Sequence, residues 1–174
     1  MTITRQKLEA LKSWLVGQRR ESGALLVVYP PEEELMFRAG YEEIIQELRA
    51  KGRALYVVDF RLLLFEILEA KGLLQKAFEL DAAGSRDVHR NLAGMVQREA
   101  LRRVHTAAEQ TPNSILCCAH TAALHPWMSF SAFLEETENT VSNTLVIPFP
   151  GTENGPVLHF LGVKDGYNYR AARI

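Results

Sequence analysis

The chain has 174 residues, 47% hydrophobic and 24% charged, which fits one compact soluble domain over residues 1–174 rather than two domains or a disordered segment. A domain of this size buries enough surface to need no metal or disulfide staple. Twenty Lys and Arg against 21 Asp and Glu leave a formal charge of −1. That balance removes the broad attraction behind non-specific nucleic-acid binding and argues against direct nucleic-acid binding by the chain alone. No apolar stretch reaches the roughly 20 residues that span a bilayer, so no membrane contact is expected.

Leu8, Leu11 and Leu15 fall at steps of three and four before Gly23, which predicts an amphipathic opening helix and its stop. Ala24 to Tyr29 is a continuous apolar run between Gly23 and Pro30 and reads as a strand buried on both faces, as parallel strands under helices are. Pro30 and Pro31 end it. Pro31 suits a first helical turn, and Glu32, Glu33 and Glu34 complement the positive end of a helix dipole. The three glutamates are therefore expected to start a helix that turns Tyr41, Ile44, Ile45 and Leu48 inward.

Arg53 to Asp59 is the second strand, and Asp59 is placed to cap a helix carrying Leu62, Leu63, Phe65, Ile67 and Leu68. An acidic residue ending a second strand also occupies the place of the ribose-binding carboxylate in dinucleotide folds, but the first turn here is Tyr29-Pro30-Pro31, with no glycine-rich phosphate loop. Asp87 to about Glu109 predicts one long helix or two, interrupted by Gly94. Pro112 and Asn113 then turn the chain into a third core strand, Ser114 to Ala119, expected to neighbour the first as an inner strand of the same sheet. Near the end, the run Thr144 to Phe149, the loop Pro150 to Gly155 and the run Val157 to Leu161 read as two strands joined by a proline- and glycine-marked connection.

Strands and helices alternating in this way predict an α/β domain: a mostly parallel central sheet of about five strands flanked by helices, Rossmann-like in its layers but without a P-loop. There is no Gly-x-x-x-x-Gly-Lys-Ser/Thr, no Gly-x-Ser-x-Gly elbow, no His-Glu-x-x-His and no paired Cys-x-x-Cys. Two basic clusters, Arg98, Arg102 and Arg103, and Arg49, Lys51 and Arg53, read as solvated helix surface. His89 and His105 read as solvent-edge histidines.

The segment from Cys117 to Trp127 combines thiols, imidazoles and an indole. Adjacent cysteines on a strand point to opposite faces, and no fourth ligand or orienting acid stands at a diagnostic spacing. Cys117 and Cys118 are therefore expected to be buried, reduced thiols in a cytoplasmic protein, with no catalytic residue, metal or cofactor assigned. If a small ligand or nucleotide binds, strand-end loops on one edge of the sheet would supply Tyr29, Glu32, Asp59, His120 and Thr152.

Several blocks, in order, resemble the BrxB family of bacteriophage exclusion (BREX) systems. They are Tyr29-Pro30-Pro31-Glu32-Glu33-Glu34-Leu35, the stretch Phe60 to Leu80 with Gly72 inside it, His125-Pro126-Trp127, Pro150-Gly151-Thr152 and Tyr167-Asn168-Tyr169-Arg170-Ala171. The chain departs from the family's text at Ala119-His120-Thr121 and at Met128-Ser129-Phe130. The resemblance covers about residues 23 to 174. It implies an α/β scaffold or adaptor without an established catalytic motif, acting in anti-phage defence with a PglZ phosphatase-like protein and other BREX components. Tyr167, Tyr169 and Arg170, aromatic and basic as interface anchors tend to be, are the candidate partner contacts.

Overall fold

Alternation along each strand sorts the side chains into two layers of helices. In the computed structural model, which describes residues 2–17, 23–84, 86–162 and 171–174, the chain runs α1 (Ile3–Gly17), β1 (Gly23–Tyr29), α2 (Glu34–Ala50), β2 (Leu55–Asp59), α3 (Leu63–Ala70) and α4 (Leu74–Ala82). It continues through α5 (Arg86–Gln110), β3 (Ile115–Ala119), α6 (Phe130–Thr140), β4 (Thr144–Asn154), β5 (Val157–Phe160) and β6 (Ala172–Arg173). Among the described residues the strand order is β2-β3-β4-β1-β6, all parallel, with β5 added antiparallel to the far end of β4. The expected α/β architecture with a mostly parallel sheet is the observed one.

One face of the sheet presents Leu26, Val28, Val58, Leu116, Cys118, Leu145, Ile147 and Phe149 to α3, α5 and α6. The other presents Leu25, Val27, Tyr29, Leu55, Cys117 and Val146 to α1 and α2. Helices α1 and α2 lie close because Gly40 has no side chain: a Cβ there would stand 2.5 Å from a methyl of Leu8.

Strand order differs from expectation in one respect. Strands β1 and β3 are both inner strands, but they are not neighbours, because β4 lies between them in register Gly23↔Thr144 on one side and Leu116↔Leu145 on the other. Thr144 to Gly151 are all buried, and a strand apolar on both faces gains most from the centre of a covered sheet.

Strand β4 also continues where a loop was expected. It runs through Pro150-Gly151-Thr152 to Asn154 and pairs with β5 across a two-residue turn, Gly155-Pro156. Gly151 allows this, since a Cβ at that position would sit 2.3 Å from the carbonyl oxygen of His159. The segment read as one helix or two is one, α5, and Gly94 lies within it without breaking it.

The three glutamates divide their work. Pro31–Glu33 form a single 3-10 turn, and α2 opens at Glu34. Glu32 is exposed, while Glu33 Oε2 accepts the Thr4 N–H at 3.2 Å and so serves the start of α1. The inward residues of α2 are those expected, joined by Phe37.

Candidate functional site

Strand β1 is followed by a helix that must travel past β4 and β3 to reach β2 at the sheet's edge. Along that path α2 leaves a cavity of about 520 Å³ between itself and the strands. Its helical wall is the stripe Arg38, Tyr41, Glu42, Ile45 and Arg49, and its sheet wall is Tyr29, Val57, Asp59, Ala119, His120 and Pro148. Those sheet residues come from β1, β2, β3 and β4, mostly from their C-terminal ends, where open α/β sheets hold ligands.

Tyr29 is buried and stacks flat on Phe37 with ring centroids 3.8 Å apart. Its hydroxyl donates to Glu34 Oε2 at 2.5 Å. Burial, then the bond to Glu34 and that carboxylate's charge, raise the phenol far above its ordinary range, so it stays protonated despite the opposing charge of Arg38.

Asp59 organises the opposite end. Its Oδ1 accepts the Arg61 N–H at 2.8 Å and meets His120 Nδ1 at 2.9 Å, and its Oδ2 accepts from the Arg61 guanidinium at 3.1 Å. Burial works against this carboxylate. The Arg61 N–H, the charge and hydrogen bond of His120, and the charge of Arg61 outweigh it and hold its pKa below the ordinary value. A carboxylate on Nδ1 orients the imidazole and leaves Nε2 for another partner. His120 is also one of two non-glycine residues at positive φ among the described residues, at 59°, a left-handed conformation that costs on the order of 1 kcal/mol.

Asp59 does not cap α3 as expected. The residue before that helix is Leu62, which offers no capping side chain, and the carboxylate is spent instead on the turn at Arg61 and on His120. From behind, Arg103 donates to the Asp59 carbonyl at 3.3 Å and pairs with Glu66 and Glu99. Arg103 is therefore a tie between α5, α3 and the end of β2 rather than solvated surface. Arg49 stays exposed, as expected of helix surface, while its Nε donates to the Leu55 carbonyl at 3.0 Å.

Of the five strand-end residues singled out from the sequence, the cleft gathers Tyr29, Asp59 and His120. Glu32 lies outside it on the exposed 3-10 turn, and Glu34, two residues on, takes the place beside Tyr29. Thr152 also lies outside, because β4 carries it past the sheet into the hairpin opposite His159. Tyr167, Tyr169 and Arg170 lie outside the described residues.

Arg38, Tyr41 and Arg49 are among the cleft residues that sequence reasoning did not place in a site. Their spacing of three, four and four along α2, through Ile45, is a readable helical stripe. The hydroxyl of Tyr41 is buried with no oxygen or nitrogen partner, and the adjacent Cys117 thiol is at best a weak one. Arg38 makes no hydrogen bond or ion pair among the described residues, and its charge opposes the upward shift of the Tyr29 phenol.

Cys117 and Cys118 are buried and unbridged, and they face opposite layers as the strand geometry predicts. Burial pushes the Cys117 thiol up to about 12, against the Tyr41 hydroxyl and the Arg49 charge, and raises Cys118 further. Neither is poised as a nucleophile. His125 and Trp127 flank a cis bond before Pro126, and Trp127 stacks on His89 at 4.9 Å. His89 also meets Asp81 at 3.2 Å. Among the described residues, no three His, Cys, Asp or Glu side chains group to hold a metal ion. No described helix is long and apolar enough to cross a membrane.

A second surface stands apart from the cleft. Helix α4 buries none of its residues, and Phe78 on it is 57% exposed. Leu62 and Phe65 at the start of α3, and Leu73 between the helices, are exposed as well.

No curated protein matches the chain, and no solved structure matches it. The family model described as BREX protein BrxB matches residues 56–174, which spans β2 through β6 and includes Asp59, His120 and the α3–α4 surface. The Tyr29-to-Leu35 block lies before that match. With more than half of its length matched, the chain belongs to the BrxB family and is a component of a BREX anti-phage defence system.

Proposed function

We propose that this protein is a non-enzymatic adaptor that holds the PglZ phosphatase-like protein within a BREX assembly, with α3 and α4 as its contact surface. The observation that carries the reading is α4. A helix of nine residues is marginal in water on its own, and its stability in a protein comes from burying an apolar face, yet α4 fully buries no residue and only half-buries Leu74, Ala77 and Leu80 within this chain. Leu62, Phe65, Leu73 and Phe78 supply an exposed apolar surface of the kind that a partner covers, inside the part of the chain that matches the family. Membership in a multi-component system makes other BREX components the natural source of that partner. On this reading the protein works in the cytoplasm, in keeping with two reduced thiols. The tail residues Tyr167, Tyr169 and Arg170 are a second proposed contact.

Co-purification with the PglZ-like protein tests both surfaces. Phe65→Asp with Phe78→Asp should abolish capture while the folded chain keeps its circular dichroism. Tyr169→Ala with Arg170→Ala should weaken capture if the tail contributes. Full capture by both double variants would remove α3–α4 and the tail as the adaptor surface.

A further inference from the structure

We propose that the cleft beneath α2 binds a nucleoside monophosphate, with its phosphate at Arg38 and its flat base against Ile45 and Val57. The inference is independent of the adaptor surface, which lies on other helices. Its volume of about 520 Å³ suits a ligand of this size, since small-molecule sites run from about 300 to 1,000 Å³. The connections leaving β1 and β3 run over opposite faces of the sheet, and such a topological break is where open α/β sheets take ligands.

Polar groups in the cleft are mostly engaged, which makes the exceptions informative. Glu34 is used by Tyr29, Asp59 by Arg61 and His120, and Arg49 Nε by the Leu55 carbonyl. Arg38, exposed at the cleft's edge, has no such bond among the described residues, and its planar guanidinium suits a phosphate, which can accept two of its N–H groups. Tyr41, a residue 4% exposed that lines the same cleft, is the second exception, its buried hydroxyl having only the adjacent Cys117 thiol beside it. A buried hydroxyl without a strong partner is rare in a folded protein, and a ligand edge offering a donor or an acceptor would satisfy it. His120, fixed by Asp59 through Nδ1, retains Nε2 for a phosphate oxygen.

Shape distinguishes this ligand from a bare anion. Arg38 and Arg49 stand eleven residues apart on α2, about 16 Å along the helix. The wall between them, Tyr41, Ile45, Val57 and Ala119, is largely apolar and fits a flat ring rather than a second charge.

Isothermal titration of the full chain with AMP, GMP, CMP and UMP, and separately with adenosine and inorganic phosphate, tests the assignment. At least one monophosphate should bind saturably, and more tightly than adenosine or phosphate alone. Binding should weaken at least tenfold in Arg38→Ala and measurably in Tyr41→Phe, two variants whose fold is checked by circular dichroism. Dissociation constants above about 1 mM for all four monophosphates would overturn the proposal. So would unchanged affinity in both variants, or inorganic phosphate binding as tightly as the best monophosphate. None of these results bears on capture of the PglZ-like protein, so the two proposals fail separately.

Discussion

The two faces of the sheet are built from the same strands yet finished differently. On one, α3, α5 and α6 close over a core in which Phe130, Phe133, Phe149 and Phe160 meet at edge-to-face and tilted angles, with the Phe130–Phe160 centroids 4.4 Å apart. On the other, two helices cover the sheet, and α2, crossing from β1 to β2, leaves a cleft with the buried Tyr41 hydroxyl and the Arg38 guanidinium, which makes no hydrogen bond or ion pair among the described residues. A layer with enough helices becomes pure packing. A layer one helix short keeps room for a ligand.

Truncation in the closed layer should show the largest effect. Phe133→Ala removes a ring that is 1% exposed and packs on Phe60 and Phe130, and should cost about 3–5 kcal/mol in urea unfolding. Adjacent valines on β2 sharpen the comparison, because they face opposite layers. Val58→Ala, in the closed core, should cost about 2 kcal/mol, whereas Val57→Ala, at the cleft, should cost under about 1 kcal/mol. Equal losses would mean that the α2 layer is as tightly packed as the other.

Tyr41→Phe should leave stability unchanged or raise it by up to about 1 kcal/mol, since it removes a buried hydroxyl that lacks a strong partner. A loss above that size would show that the hydroxyl is bonded within the free protein. The smallest effect concerns pH. The Asp59 pKa in the fold lies below its ordinary value of 3.8, so its charge stabilises the fold above that value, and the contribution is lost as pH falls through the lower folded one. Wild type and Asp59→Asn should therefore differ in urea midpoint at pH 6 and converge as the pH drops below about 4. A difference that persisted unchanged at acid pH would detach the carboxylate's charge from its role at His120.

Much was legible because it is local. Apolar runs marked β1, β2, β3 and the first half of β4, the steps of three and four in α1 and α2 marked their inward faces, and adjacency alone sent Cys117 and Cys118 to opposite layers. Tyr29, Asp59 and His120 could be placed on one edge because parallel strands end together, and the ordered blocks of text carried the BrxB resemblance. What needed the tertiary structure is long-range. Pairing energies summed over distant segments put β4 between β1 and β3, and close backbone approach at Gly151 carried Thr152 away from the cleft. The path of α2 across two strands brought Glu34, Arg38 and Tyr41 to a cleft instead of Glu32. Periodicity shows which side of a helix is apolar, but only the number and placement of covering elements decide whether that side becomes core, cleft or, as on α4, open surface.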